Sequence, residues 1–168
     1  LLHAATMVAA GAYILIRLEP DLAAAPGWGA TTIGIGLGTA LAGGLVAVLQ
    51  PHAKKLLAAS TSAHYGLMFV AVGAGYPGVA LFHLLAHAAF KALLFLSAGV
   101  AGDAAGSYDL SRMRFGRALP VTAALTAVGA LALAGLPPLG AAWTKEAVAA
   151  AAGYQSVLLA IGVTLAGG

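Results

Sequence analysis

The chain has 168 residues, 61% hydrophobic and 8% charged, with a net charge of +3, a pI near 9.5 and a mean hydropathy of +0.97. Such values fall outside the range of water-soluble domains and indicate a membrane protein. The basic residues are too few and too scattered for a phosphate-binding stripe, which excludes nucleic acid as a partner. Without cysteine, disulfides, thiolate metal sites and cysteine-ligated iron–sulfur clusters are excluded as well.

A hydrocarbon core of about 30 Å calls for roughly 20 apolar residues per crossing. Polar residues, glycine and proline divide the chain into six such segments. The first runs to about Ile16 and is stopped by Arg17, Glu19, Pro20 and Asp21. The second covers about Trp28 to Leu49 and the third about Leu56 to Ala74. After the turn Gly75-Tyr76-Pro77-Gly78, the fourth runs from Val79 to Ala101, followed by a polar loop from Gly102 to Leu119. The fifth begins at Val121 and is interrupted at Gly135-Leu136-Pro137-Pro138-Leu139-Gly140; the sixth starts near Tyr154. The expected fold class is an all-α, polytopic transmembrane helical bundle with about six spans, one of them broken. Leu1 and Gly168 both lie within apolar runs, so the sequence reads as a fragment.

Lys54, Lys55, Arg112, Arg114 and Arg117 fall on one side of the alternating loops, and Arg17 with Glu19 and Asp21 on the other. The positive-inside rule makes the first side cytoplasmic, provided that Lys54 and Lys55 lie at the mouth of the third helix rather than within it. Gly34, Gly36 and Gly38 superficially resemble a phosphate-cradling loop, but no strand precedes them and no Lys-Ser/Thr follows. Close helix packing through small residues accounts for them.

Ionisable residues inside apolar spans cost on the order of 3 kcal/mol each at the helix centre and need a reason. In the fourth segment His83, His87 and Lys91 recur every four residues. Each step drifts by about 40° and rises about 6 Å, so the three share one helical face as a ladder along the membrane normal. They read as a proton relay, since histidine exchanges protons near neutral pH and a buried lysine can switch charge as its hydration changes. Two plainer readings stand beside it: polar glue between helices, for which three costly groups are a poor choice, and a His83/His87 metal pair. The second is disfavoured by the adjacent cation Lys91 and by the lack of a carboxylate or thiolate in the span.

Pro137 and Pro138 cannot continue an α-helix, and Gly140 relaxes the backbone just before Lys145 and Glu146. Broken helices at membrane depth survive where they line a cavity or are covered by protein, and so point to ion pathways. Lys145 and Glu146 diverge by about 100° and face different neighbours. A solvated helix end is the plainer alternative.

These residues together resemble the proton-translocating module shared by antiporter-like subunits of respiratory complex I (NADH:quinone oxidoreductase) and Mrp-type sodium/proton antiporters. His3-Ala4-Ala5-Thr6-Met7-Val8, followed by Ala10-Gly11 and Tyr13, is similar to the family's opening signature. Lys54-Lys55-Leu56-Leu57-Ala58-Ala59-Ser60-Thr61 resembles its lysine-containing segment ahead of a Ser-Thr pair. Phe82-His83 through His87 to Phe90-Lys91-Ala92-Leu93-Leu94-Phe95 carries the strongest likeness. The start of the chain, and lysine rather than glutamate at position 145, are more similar to the largest, distal subunit, L, than to its shorter relatives.

The resemblance implies one module, 1–168, made of the end of one and most of a second inverted five-helix repeat, with 1–18 as the last helix of the first and 28–168 in the second. It implies proton relay roles for His3 between half-channels, Lys54 near the cytoplasmic entrance, His83, His87 and Lys91 at the centre, and Lys145 with Glu146 at the far end. His64 stands where the family more often has glutamine, and either extends the relay or packs. Gly140-Ala141-Ala142-Trp143-Thr144 departs from the family's glycine and paired aromatics. The implied setting is a bacterial inner membrane, with other membrane subunits as partners and protons, or alternatively sodium, as the ion. The chain itself holds no cofactor; FMN and iron–sulfur clusters belong to partner subunits in a complex I. The alternatives are an Mrp-type antiporter, a purely structural module and a membrane component linked to a hydrogenase.

Overall fold

A computed structural model describes residues 7–113, 116–153 and 157–167. His3, Arg114 and Tyr154 lie outside the described residues. The chain forms α1 (Ala9–Leu22), α2 (Trp28–Val48), α3 (Ala53–Gly73), α4 (Pro77–Ala105), α5 (Pro120–Ala134), α6 (Gly140–Gly153) and α7 (Val157–Gly167). Among the described residues the only β pairing is an isolated bridge between His52 and Asp109. The architecture is a polytopic helical membrane bundle. Its α2, α3 and α4 are each long and apolar enough to cross a bilayer.

Polarity is distributed inside out. His64, His83, His87 and Lys91 are buried while Leu45, Phe82, Leu85 and Leu96 are exposed, Leu45 by 65% and Lys91 by 0%. In water that arrangement would be costly. In hydrocarbon the apolar side chains have a matching solvent and the polar ones turn to each other.

Several boundaries differ from the sequence expectation. Helix α1 does not stop at Ile16 but continues through Arg17, Glu19 and Pro20 to Leu22. Pro20 falls in the last turn, where its missing N–H removes a single helical bond, and Ala23 N–H closes the helix on Glu19 O at 2.8 Å. Helix α3 begins at Ala53, which puts Lys54 and Lys55 in its first turn rather than ahead of it. Helix α4 runs 29 residues, about 43 Å, and ends at Gly106 with φ 63°. The interruption in the fifth segment separates α5 from α6, with Gly135 (φ 79°) terminating α5.

The hairpin of α2 and α3 is the best-packed pair. A methyl on Gly36 would sit 2.7 Å from Gly66 O, one on Gly43 2.7 Å from Ala63 N, and one on Gly29 2.8 Å from Gly73 O. Gly29, Gly36 and Gly43 are spaced by seven and so share one stripe of α2, letting the two backbones touch. Of the three glycines singled out in the sequence, Gly36 alone serves this contact; Gly34 and Gly38 face open space. Helix α5 packs on the C-terminal half of α4, Gly129 against Leu94, and α6 on its N-terminal half, Thr144 against His83.

Overpacking this contact has no flexible side chain to yield. Gly66→Val is expected to destabilise the bundle by about 3 kcal/mol or more, while Gly38→Ala is neutral or slightly favourable. Thermal unfolding followed by circular dichroism in detergent distinguishes them; equal midpoints for the two variants would contradict the packing assignment.

Candidate functional site

Helix α4 carries His83, His87 and Lys91 on its inward face, each 0% exposed. The shared face expected from their spacing is therefore what the fold buries. Lys91 points across to α3, where Nζ donates to Leu57 O at 2.9 Å and also bonds the Ser60 hydroxyl. Leu57 O in turn accepts from the Thr61 hydroxyl at 2.8 Å. A carbonyl and a hydroxyl replace the water that an ammonium needs.

The histidines do not form a simple vertical ladder. His83 and His87 ring centres are 6.5 Å apart, whereas His64 of α3 lies 5.1 Å from each. His64 Nδ1 is hydrogen-bonded to His83 Nε2 at 2.9 Å, and His83 Nδ1 to the Thr144 hydroxyl of α6 at 2.7 Å. Both ring nitrogens of His87, and the hydroxyl of the neighbouring Tyr65, are buried without a hydrogen-bond partner among the described residues. Buried polar atoms of that kind are usual places for internal water. His64 is thus hydrogen-bonded within the histidine cluster, an arrangement that fits a relay member and a polar packing residue alike. Its nitrogen and those of His83 are engaged in hydrogen bonds that a His83/His87 metal pair would have to give up.

The break between α5 and α6 sets the position of Lys145. Terminating α5 at Ala134 frees its last carbonyls, and Lys145 Nζ donates to Leu133 O at 2.8 Å. A cation at a helix C-terminus is also favoured by the backbone dipoles. Gly135 provides the room, since a methyl there would press on the lysine stem at 3.0 Å. Pro137 and Pro138 lie in the interruption, joined by a cis peptide bond, and Gly140 opens α6. Glu146 is exposed and on a different side of α6 from Lys145. Lys145, His64 and Ser60 line one half-open cavity of about 490 Å³ bounded by α2, α3, the end of α5, α6 and α7.

Lys54 stands apart from this cluster, at the end of the bundle where α3 begins. Its Nζ sits 3.7 Å above the Tyr108 ring, a cation–π contact. Tyr108 donates its hydroxyl to Asp103 at 2.6 Å, stacks on His52 and is seated against Gly102. Backbone bonds Ala53 N–H to Tyr108 O and Leu110 N–H to Pro51 O, both 2.9 Å, fasten this loop to the start of α3. The Ser111 hydroxyl and N–H both donate to Asp109 and hold its carboxyl below the usual carboxylate range. Sequence reasoning had no signal for Thr144 or Tyr108 as partners, since each acquires its role only from a residue distant in the chain.

Residues 1–167 match the family model described as NADH:quinone oxidoreductase/Mrp antiporter, TM. The chain belongs to that family. It is 37% identical, over 98% of its length, to NAD(P)H-quinone oxidoreductase subunit 5, organellar chromatophore 1, of Paulinella chromatophora, and covers 26% of that protein. It is 40% identical over 86% of its length to a probable K(+)/H(+) antiporter subunit of Rhizobium meliloti (strain 1021), covering 15% of it. Among solved structures, a chain of the membrane-bound sulfane sulfur reductase, an archaeal respiratory membrane complex, superposes with a TM-score of 0.88 at 25% identity, over 99% of this chain and 36% of that one. The chain spans about a quarter or less of the length of these two curated relatives.

Removing the ammonium from the helix break tests the pairing of Lys145 with Leu133. Lys145→Met is expected to lower the thermal midpoint by a few degrees, as for a part-buried carbonyl that loses a charged donor. An unchanged midpoint would show that the carbonyl is served otherwise.

Proposed function

We propose that this chain is the proton-translocating module of an antiporter-like membrane subunit in a complex I-type assembly, driven by redox chemistry elsewhere and holding no redox centre itself. The observation that carries the reading is a row of protonatable groups, His64, His83, His87 and Lys91, buried across α3 and α4 and adjoining the cavity lined by Lys145. Such groups are retained inside a bilayer where protons or ions pass. Family membership and the two lysines seated on main-chain carbonyls support it.

In this reading α1 is the last helix of one inverted repeat and α2 to α7 make up most of the next. Lys54 collects protons at the cytoplasmic end, marked by Lys55, Arg112 and Arg117. Lys91 and the histidines carry them at mid-membrane, Lys145 loads them beyond the break, and His3 and Glu146 extend the path at either side. The membrane is a bacterial inner membrane, the partners are other membrane subunits, and FMN and iron–sulfur clusters reside on those partners. The mechanism rests on charge switching: a proton that leaves Lys91 removes the cation from Leu57 O and Ser60, and a proton arriving at Lys145 restores one at Leu133 O.

A second reading is favoured by the likeness to the probable K(+)/H(+) antiporter subunit of Rhizobium meliloti (strain 1021): the same residues in an Mrp-type or hydrogenase-linked assembly, exchanging protons for a metal cation. The test uses inverted membrane vesicles containing the full-length chain in its assembly. Lys91→Met or Lys145→Met is expected to reduce proton uptake at least about tenfold with assembly intact. Uptake at the wild-type rate in both variants would overturn the relay. Uptake driven by a sodium or potassium gradient without a redox substrate would favour the second reading.

A further inference from the structure

One hydrogen-bonded chain crosses three helices, from His64 on α3 through His83 on α4 to Thr144 on α6. All three side chains are buried. We infer that Thr144 is a positioning residue that locks the tautomers of His83 and His64 to one another, and that His64 is the port by which protons pass between the α4 histidines and the cavity shared with Ser60 and Lys145. This deepens the relay proposed above and rests on it.

The number of hydrogens available limits the chain to two arrangements. Thr144 has a single hydroxyl hydrogen and two acceptors in reach, Ala141 O at 3.2 Å and His83 Nδ1 at 2.7 Å. When the hydrogen goes to Ala141 O, His83 must carry its own hydrogen on Nδ1 and donate to the threonine oxygen. Its Nε2 is then an acceptor, filled by His64 Nδ1–H, and His64 Nε2 is bare. When the hydrogen turns to His83 Nδ1, every tautomer reverses, and His64 Nε2 carries the hydrogen. The hydroxyl rotor therefore gives the chain two polarities.

In the first polarity the chain accepts a proton at His64 Nε2. The Nδ1–H bond of His64 breaks as the Nε2–H bond of His83 forms, leaving a neutral His64 and an imidazolium at His83. One proton enters, one N–H bond forms at each ring and one breaks at His64. The position of His64 suits a port. It lines the cavity of about 490 Å³ that Ser60 and Lys145 also line, and its Nδ1 is already committed to His83. It is also nearer to both α4 histidines than they are to each other. The titratable and charged groups around it are His83, His87 and Lys91 of α4 and Lys145 of α6.

The vesicle assay above separates this inference from the relay itself, with Lys91→Met as the reference. Thr144→Val keeps the volume and removes the hydroxyl; His64→Gln keeps a donor toward His83 but cannot pass a proton. Each is expected to lower proton uptake about tenfold, the size of one buried group left unpaired or unable to transfer. Thr144→Ser should recover to within about twofold of wild type, and the double variant His64→Gln/Thr144→Val should lose no more than either single change, since both act through His83. If Lys91→Met abolishes uptake while Thr144→Val or His64→Gln pumps at the full rate, the port is wrong and the relay stands. A serine variant as poor as valine would also overturn the hydroxyl's role. Should Lys91→Met and Lys145→Met both leave uptake unchanged, relay and port fall together.

Discussion

A charged or polar group within hydrocarbon has to find its partners in the protein, and the interior of this bundle is organised by that requirement. Two lysines inside the bundle, Lys91 buried and Lys145 half-buried, meet it in the same way, by donating to main-chain carbonyls: Lys91 to Leu57 O and Lys145 to Leu133 O. The two carbonyls are of different origin. Leu57 lies in an unbroken helix and shares its oxygen with Thr61, whereas Leu133 O is available because α5 ends one residue later. The break and the lysine beyond it are thus two halves of one solution. Each offsets part of the other's cost at membrane depth.

Helix α3 is where packing and chemistry meet. Gly66 follows His64 by two residues, about 200° around the helix, so α3 turns its glycine edge to α2 and its histidine to α4. The glycine contact lets α2 lie close, and the opposite face then supplies Leu57, Ser60 and His64 to the α4 side chains. The polar path that results runs across the helices through His64 and Thr144 as much as along α4.

The lengths of the apolar runs, the break and the common face of His83, His87 and Lys91 were legible because each follows from local spacing. Helix periodicity alone brings residues four apart into line, and consecutive prolines interrupt a helix in any context. What was not legible depended on neighbours. Thr144 is one threonine in an apolar helix, where such a hydroxyl ordinarily bonds its own backbone, and nothing local assigns it to His83. His64 departs from the family pattern, which leaves packing and relay both open, and its hydrogen bond to His83 exists only because α3 and α4 lie side by side. Charges and a proline after Ile16 resemble a stop, yet the last turn of a helix accommodates both and α1 runs on to Leu22. Lys54 belongs with Tyr108, a contact made across the loop that closes the bundle. The positions of Gly34 and Gly38 on the open side could not be told from that of Gly36 by composition.

The fastening of the His52–Asp109 region has a mechanical consequence. Helices α3 and α4 are joined at one end by the tight turn through Gly75 and at the other by the backbone bonds of Ala53 and Leu110, with α2 held against α3 by its glycine stripe. Linked at both ends, α3 and α4 cannot slide past one another without breaking one of these links, and the separation of His64 and His83 is fixed with them. Lys91 is anchored to this fastened pair through Leu57 O, whereas Lys145 is anchored across the break to Leu133 O, so the two lysines hang on different parts of the frame.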